Sequence, residues 1–195
     1  MAQGEISKTR LLESLYQETT LGAFSMTAGA AAPSTQGFIG GGLMVRTVNP
    51  TTEDSLDFDL VIPRSMELDV ATITLTPTVR WTALDTPTAN QTVQWKLDYT
   101  YAVPALTGAT GTAFLAISTM TTPIHTMTGH EYRKHIVSAF ASPISMPARN
   151  AKASIVLMGN VRISSVSSAA NSLIGILAVG VSYLAGPSGT SSITP

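Results

Sequence analysis

The sequence predicts an all-β fold, an antiparallel β-sandwich of jelly-roll type with an extended N-terminal arm that carries a short helix. Three observations point there. From about residue 43 onward apolar residues recur at every second position, the period of a half-buried strand. Turn formers interrupt that alternation at intervals of roughly a dozen residues, the spacing of sandwich strands. No helical segment alternates with the strands, which argues against a parallel βαβ fold, and no internal repeat suggests a solenoid or propeller.

The elements follow in order. Residues 5–18 read as a helix, because Leu11, Leu12, Leu15 and Tyr16 fall on one face and Ser7 can cap the start. A helix so short needs a docking surface. Residues 21–42 are uncharged and rich in Gly, Ala, Ser and Thr, the composition of a linker. Phe24, Met26, Phe38 and Ile39 are side chains a free linker does not need, so the arm is expected to order on a neighbouring subunit. The arm spans 1–48 and the sandwich 49–195, ending in a frayed tail.

Within the sandwich, Leu56, Phe58, Leu60 and Ile62 alternate with Asp57, Asp59 and Val61. In residues 70–82 the odd positions run Ala71, Ile73, Leu75, Pro77, Val79, Trp81, against threonines and Arg80. Pro77 cannot donate to a ladder, so this strand is expected at an edge or at a bulge. In residues 92–103 Val93, Trp95, Leu97, Tyr99, Tyr101 and Val103 form the core phase. The loop 85–90 is expected to join the two tryptophan-bearing strands as an antiparallel pair. Further strands are expected over 112–118, 134–141, 154–163 and 173–183, separated by Pro and Gly turns.

Composition narrows the function. Of 195 residues 11 are Lys or Arg and 12 Asp or Glu, a net charge of −1 with 12% of positions charged, against about 25% in an ordinary soluble domain. A compact monomer of this size exposes about 9,000 Å², leaving roughly 400 Å² per charge. With 44% hydrophobic residues the chain is not disordered, and its charges are too few to drive nucleic-acid binding. A surface so weakly charged is expected to be covered by partners. Cysteine is absent, so there is no disulfide framework, thiolate metal site or cysteine nucleophile. The first twenty residues lack the apolar core of a signal peptide, and the apolar run 173–184 is too short for a membrane helix. A soluble protein assembled in a reducing cytosol is expected.

Catalytic motifs are missing: no G-x-S-x-G elbow, phosphate loop or H-E-x-x-H pair occurs. His125, His130 and His135 recur every five residues beside Glu131. Three imidazoles can hold zinc, but that spacing scatters them over opposite faces of a strand, so only a loop could gather them. Glu53, Asp54, Asp57, Asp59, Glu67 and Asp69 concentrate acid that could hold a hard cation, although Asp57 and Asp59 alternate outward, where carboxylates ordinarily meet water. No metal, cofactor or catalytic residue is assigned. After Glu131 no acid occurs, while Arg133, Lys134, Arg149, Lys152 and Arg162 are basic; the acidic and basic regions can pair within one sandwich or across a subunit boundary. Trp81, Trp95, Tyr99 and Tyr101 share the core phase, which reads as packing rather than a sugar platform. Asn90-Gln91-Thr92 matches a glycosylation sequon but lacks a secretion signal.

The order D-F-D-L-V-I-P at 57–63, R-W at 80–81, V-Q-W-K-L-D-Y-T-Y at 93–101 and L-A-V-G-V-S-Y at 177–183 resembles the small β-sandwich virion proteins of tailed bacteriophages. The likeness covers residues 56–183 and consists of structural positions. Where such proteins carry an Arg-Asp-rich segment before the last strand, this chain has V-R-I-S-S-V-S-S at 161–168, so no salt-bridge network is carried over. The resemblance implies a non-enzymatic part of a virus particle: a capsid decoration or head-fibre-base protein, or else a tail or baseplate protein. The expected partners are further copies of the chain, as a homotrimer, and the major capsid protein, with no nucleic acid and no membrane. A carbohydrate-binding module that attaches to a host glycan is the rival from a different class.

Overall fold

The computed structural model describes residues 16–29, 35–39, 43–49, 54–62, 72–102, 114, 116–147, 155–164 and 174–184. Along the chain the strands are β1 (Tyr16–Gly22), β2 (Thr27–Ala28), β3 (Thr35–Ile39), β4 (Leu43–Val48), β5 (Ser55–Ile62), β6 (Thr72–Ala83) and β7 (Thr92–Val93). There follow β8 (Trp95–Ala102), β9 (Ser118–Thr121), β10 (His125–Thr126), β11 (Ile136–Ala139), β12 (Ile144–Pro147), β13 (Ile155–Ile163) and β14 (Ile174–Leu184). A single 3-10 turn, Ala23–Ser25, is the one helical element among the described residues.

Among the described residues strand pairing makes two large antiparallel sheets and a separate two-strand pair of β7 with β10. In the first, β14 lies between β6 on one side and β1 and β4 on the other, β3 extends beyond β4, and β11 and β12 line the far side of β6. In the second, the order is β2-β5-β13-β8-β9. From β4 onward the chain switches sheets between β4 and β5, β5 and β6, β6 and β8, β9 and β11, β12 and β13, and β13 and β14, which is the wiring of a jelly roll. The expected antiparallel pairing of the two tryptophan-bearing strands does not occur. β6 and β8 belong to different sheets, and the loop between them crosses the sandwich. Trp81 and Trp95 therefore meet across the core, ring centroids 6.1 Å apart and tilted by 56°, both with no exposed surface. Such a pair contributes about 0.5–1.5 kcal/mol beyond its burial.

The period-two pattern explains the core. Leu56, Phe58, Leu60 and Ile62 point inward from β5, Leu75, Val79 and Trp81 from β6, and Leu157, Val161 and Ile163 from β13. β14 changes phase midway: Ile174 and Ile176 are buried, then Val179, Val181 and Tyr183. A register shift between Ile176 and Ala178 supplies the extra residue that flips the strand's faces. Pro77 lies in an interior strand rather than at an edge. β11 ends opposite Thr78 and β12 begins opposite Leu75; between them the Phe140 N–H donates to the Pro77 carbonyl at 3.0 Å while its ring enters the core, and the Ala141 N–H turns to the Thr121 carbonyl at 2.9 Å. The break in the neighbouring ladder falls where the proline has no N–H to give.

Two expectations at the N-terminus are corrected. Tyr16 to Glu18, the end of the expected helix, are extended in β1 and pair with β14 from Tyr16↔Leu184 to Gly22↔Ala178; residues 5–15 lie outside the described residues. The backbone ladder on an otherwise half-covered β14 outweighs the helical spacing of three residues. The expected linker likewise holds structure. Ala23 and Met26 enter the core, β2 pairs with β5, and β3 pairs with β4, so residues assigned to an arm supply strands to both sheets. Of the strand expected at 112–118, Phe114, Ala116 and Ile117 lie outside any strand and Ser118 opens β9, while 112, 113 and 115 lie outside the described residues.

Candidate functional site

The outer face of the second sheet carries the most organised group of exposed side chains. Cross-strand register places Thr27, Asp57, Asn160, Asp98 and Thr119 in one row over β2, β5, β13, β8 and β9. Directly opposed residues share a face of the sheet, so the row is a consequence of pairing. Asn160 Nδ2 donates to Asp57 Oδ1 at 2.5 Å, and Arg162 Nη1 donates to Asn160 Oδ1 at 2.8 Å. Arg162 Nη2 meets Asp98 Oδ2 at 2.5 Å, and the Thr119 hydroxyl donates to Asp98 Oδ1 at 2.5 Å. Partial burial pulls the Asp98 carboxyl upward, but the Thr119 hydroxyl, the Arg162 guanidinium and the Lys96 charge outweigh it and hold it below its ordinary value.

Beside this polar row the face turns apolar. Met158 stands between Asp59 and Thr100 in the next row, and Val61 faces Val156 beyond it. Met158 is 43% exposed, Val61 53% and Ile117, just before β9, 74%. Together with Asp57, Asp59 and Thr100, Met158 and Ile117 line an open groove of about 530 Å³. Among the described residues Asp59 makes no hydrogen bond or ion pair, unlike Asp57 and Asp98. On the opposite side of Gly159 the interior is tight: a Cβ there would come within 2.6 Å of the Phe58 ring.

A second group closes one end of the sandwich. The segment 122–135 is tied down by Met127 N to Gln91 O at 2.7 Å, Asn90 N to Met127 O at 2.8 Å and Arg133 N to Ala83 O at 3.0 Å. Glu131 is buried, and its Oε1 accepts from the Thr128 backbone N–H at 2.8 Å and the Thr128 hydroxyl at 2.9 Å. His125 Nε2 lies 3.6 Å from the same oxygen, and its ring stands edge-on to Trp81 with centroids 5.3 Å apart. Burial pushes Glu131 up, but the Thr128 donors, its own backbone N–H and His125 prevail and hold it at about 2.

The candidates read from sequence separate accordingly. His125 is half-buried while His130 and His135 are exposed, and among the described residues no three His, Cys, Asp or Glu side chains gather as a metal site. Asp54 accepts from the Asn49 N–H at 3.0 Å, and Asp57 and Asp59 point outward; Glu53, Glu67 and Asp69 lie outside the described residues. Of the basic positions, Arg162 pairs with Asp98. Arg133 and Lys134 are exposed, and Arg149 and Lys152 lie outside the described residues. Tyr99 and Tyr101 are half-buried and pack against the core, in keeping with their phase. Asn90 adopts a left-handed turn at φ 68°. Sequence reasoning passed over Glu131 as an anchor and Met158 as an exposed apolar residue; the signal for the latter was a methionine on the outward phase of a strand. Among the described residues no helix is long and apolar enough to cross a membrane.

No protein-family model matches the chain, and no characterised protein matches it in sequence. Among solved structures, the chain is similar to the CBM36-1 domain of a multidomain xylanase from the hindgut metagenome of Trinervitermes trinervoides. That likeness has 12% identity, covers 89% of this chain and 99% of that one, and has a TM-score of 0.33. It is similar to a chain of infectious bursal disease virus, Gx strain, with 13% identity over 89% of this chain and 34% of that one, at a TM-score of 0.31. A carbohydrate-binding module of the β-sandwich superfamily matches at 10% identity over 85% of this chain and 54% of that one, at a TM-score of 0.26. At this distance the likenesses carry no argument about function, and the virion-protein resemblance of residues 56–183 stays a resemblance.

Proposed function

We propose that this chain is a non-enzymatic structural component of a virus particle, of the capsid decoration or head-fibre-base kind, which works by adhesion between copies and companions. The observation that carries the reading is the outer face of the second sheet. Its polar row is hydrogen-bonded within itself, so covering it strands few donors or acceptors, and its Met158–Val61–Ile117 surface gains by being covered. The low overall charge, 12% of residues, favours the same use. The tailed-phage resemblance suggests the particle, the host cytoplasm as the place of assembly, and a homotrimer as the form.

The test is quantitative mass spectrometry of particles purified from an infected culture that expresses the chain. A fixed copy number that migrates with the particles is expected. Its absence from particles that assemble normally would refute the reading.

A second reading, attachment to a host glycan, draws on the groove itself, where Asp57, Asp59, Asn160 and Thr100 offer hydrogen-bonding groups beside Tyr99. Glycan-array binding abolished by Asp59→Ala and Asn160→Ala, with the particle copy number unaltered, is the outcome that favours it.

A further inference from the structure

The loop 130–135 is an exposed basic and aromatic tip built on a rigid base. Arg133 and Lys134 point into solvent, Tyr132 is 38% exposed, and the Arg133 guanidinium lies 4.7 Å from the Tyr132 ring centroid. Within the described residues neither cation has an ion-pair partner. The base is held by the Arg133 N–H on Ala83, the Lys134 N–H on Glu131 O at 3.0 Å, and a bridge between Tyr132 and Ala83. Buried Glu131 grips Thr128 just before it. Arg133 itself sits at φ 57°, a left-handed conformation that costs a non-glycine residue energy and persists only where surrounding bonds impose it.

The groove on the second sheet presents the complementary chemistry. Among the described residues Asp59 is exposed and without a partner and Asp57 beside it pairs only with Asn160, and the floor is apolar at Met158 and Ile117. Tip and groove do not meet within one chain: the tip is fixed to the end of β6 in the first sheet, while the groove opens on the outer face of the second. Two unpartnered cations on a preformed protrusion and an unpartnered carboxylate in an apolar groove match in sign and in character.

We propose that the groove receives the 130–135 tip of a second copy, Arg133 and Lys134 meeting Asp59 and Asp57 while Tyr132 covers Met158. The contact is head-to-tail, so each copy offers one tip and one groove, and repetition closes a ring where the rotation allows. A tip already fixed in shape loses little freedom on docking. This inference rests on the adhesive reading above and names the partner for it.

Sedimentation equilibrium of the full chain tests it, with circular dichroism melts confirming that each variant folds. Arg133→Glu/Lys134→Glu and, separately, Asp59→Lys are each expected to weaken self-association about tenfold or more, because like charges then face each other. A chain carrying all three changes is expected to regain part of the association, since the pair at position 59 is reversed rather than lost while Asp57 still faces an acid. Raised salt is expected to weaken the wild type and the triple variant alike. Wild-type association that neither reversal alters would overturn the tip-and-groove contact and leave the adhesive reading standing. Loss in the single-site variants without recovery in the triple one would overturn the pairing of these two surfaces. A wild type that is monomeric at every concentration would overturn both.

Discussion

Glu131 is a carboxylate taken out of water and kept charged by donors placed for it. Its folded value of about 2 lies below the ordinary 4.5, so the charged form is favoured by folding. The stability it contributes is therefore complete above pH 4.5 and is lost as pH falls through about 2. By linkage the shift corresponds to about 3 kcal/mol. Urea unfolding followed from neutral pH down to pH 2 is expected to show a fall across that interval. Glu131→Gln is expected to cost about 1–3 kcal/mol at neutral pH and to flatten the fall, and an unchanged acid profile in that variant would remove Glu131 as its source. At Gly159 the constraint is steric. A methyl group 2.6 Å from the Phe58 ring and 3.1 Å from Leu97 must displace a core aromatic, so Gly159→Ala is expected to destabilise by about 1–3 kcal/mol, read from the urea midpoint.

At the scale of the element, the alternating strands were legible because each side chain's face follows from its parity. β5 is buried at Leu56, Phe58, Leu60 and Ile62 and exposed at Asp57, Asp59 and Val61, as its sequence reads. Parity says nothing about which strands pair, and the pairing of the two tryptophan strands was misjudged for that reason: short loops join neighbours in hairpins and cross between sheets in sandwiches alike. β1 was hidden because its pattern has no apolar face of its own. It is a strand because β14 needs a ladder partner, and it is fixed further by Glu18, which pairs with Arg80 and accepts from Thr78 across Gly180. Removing residues 1–22 is accordingly expected to lower the melting temperature by several degrees and to open β14 to hydrogen exchange; an unaltered melt with β14 still protected would mean that β1 only rests on the sheet.

For the whole molecule, the low charge count read from composition finds its physical counterpart in where the charges lie. Arg80 with Glu18 and Arg162 with Asp98 neutralise one another on the outer faces of the two sheets. The groove itself could not be foreseen, since it requires Ile117, Asp59 and Met158, distant in sequence, to share one face through register. The exposed histidines and the buried Glu131 were visible as a cluster, but only the fold separates an anchor from its neighbours. In the proposed function the outer face of the second sheet is covered by protein. Sedimentation equilibrium of the wild type beside Val61→Lys/Met158→Glu, from micromolar to near-millimolar concentration, tests this most directly. The average mass is expected to rise with concentration for the wild type and to stay at one chain for the folded variant; a wild type of constant monomer mass, or a variant that associates equally well, would refute the covered face.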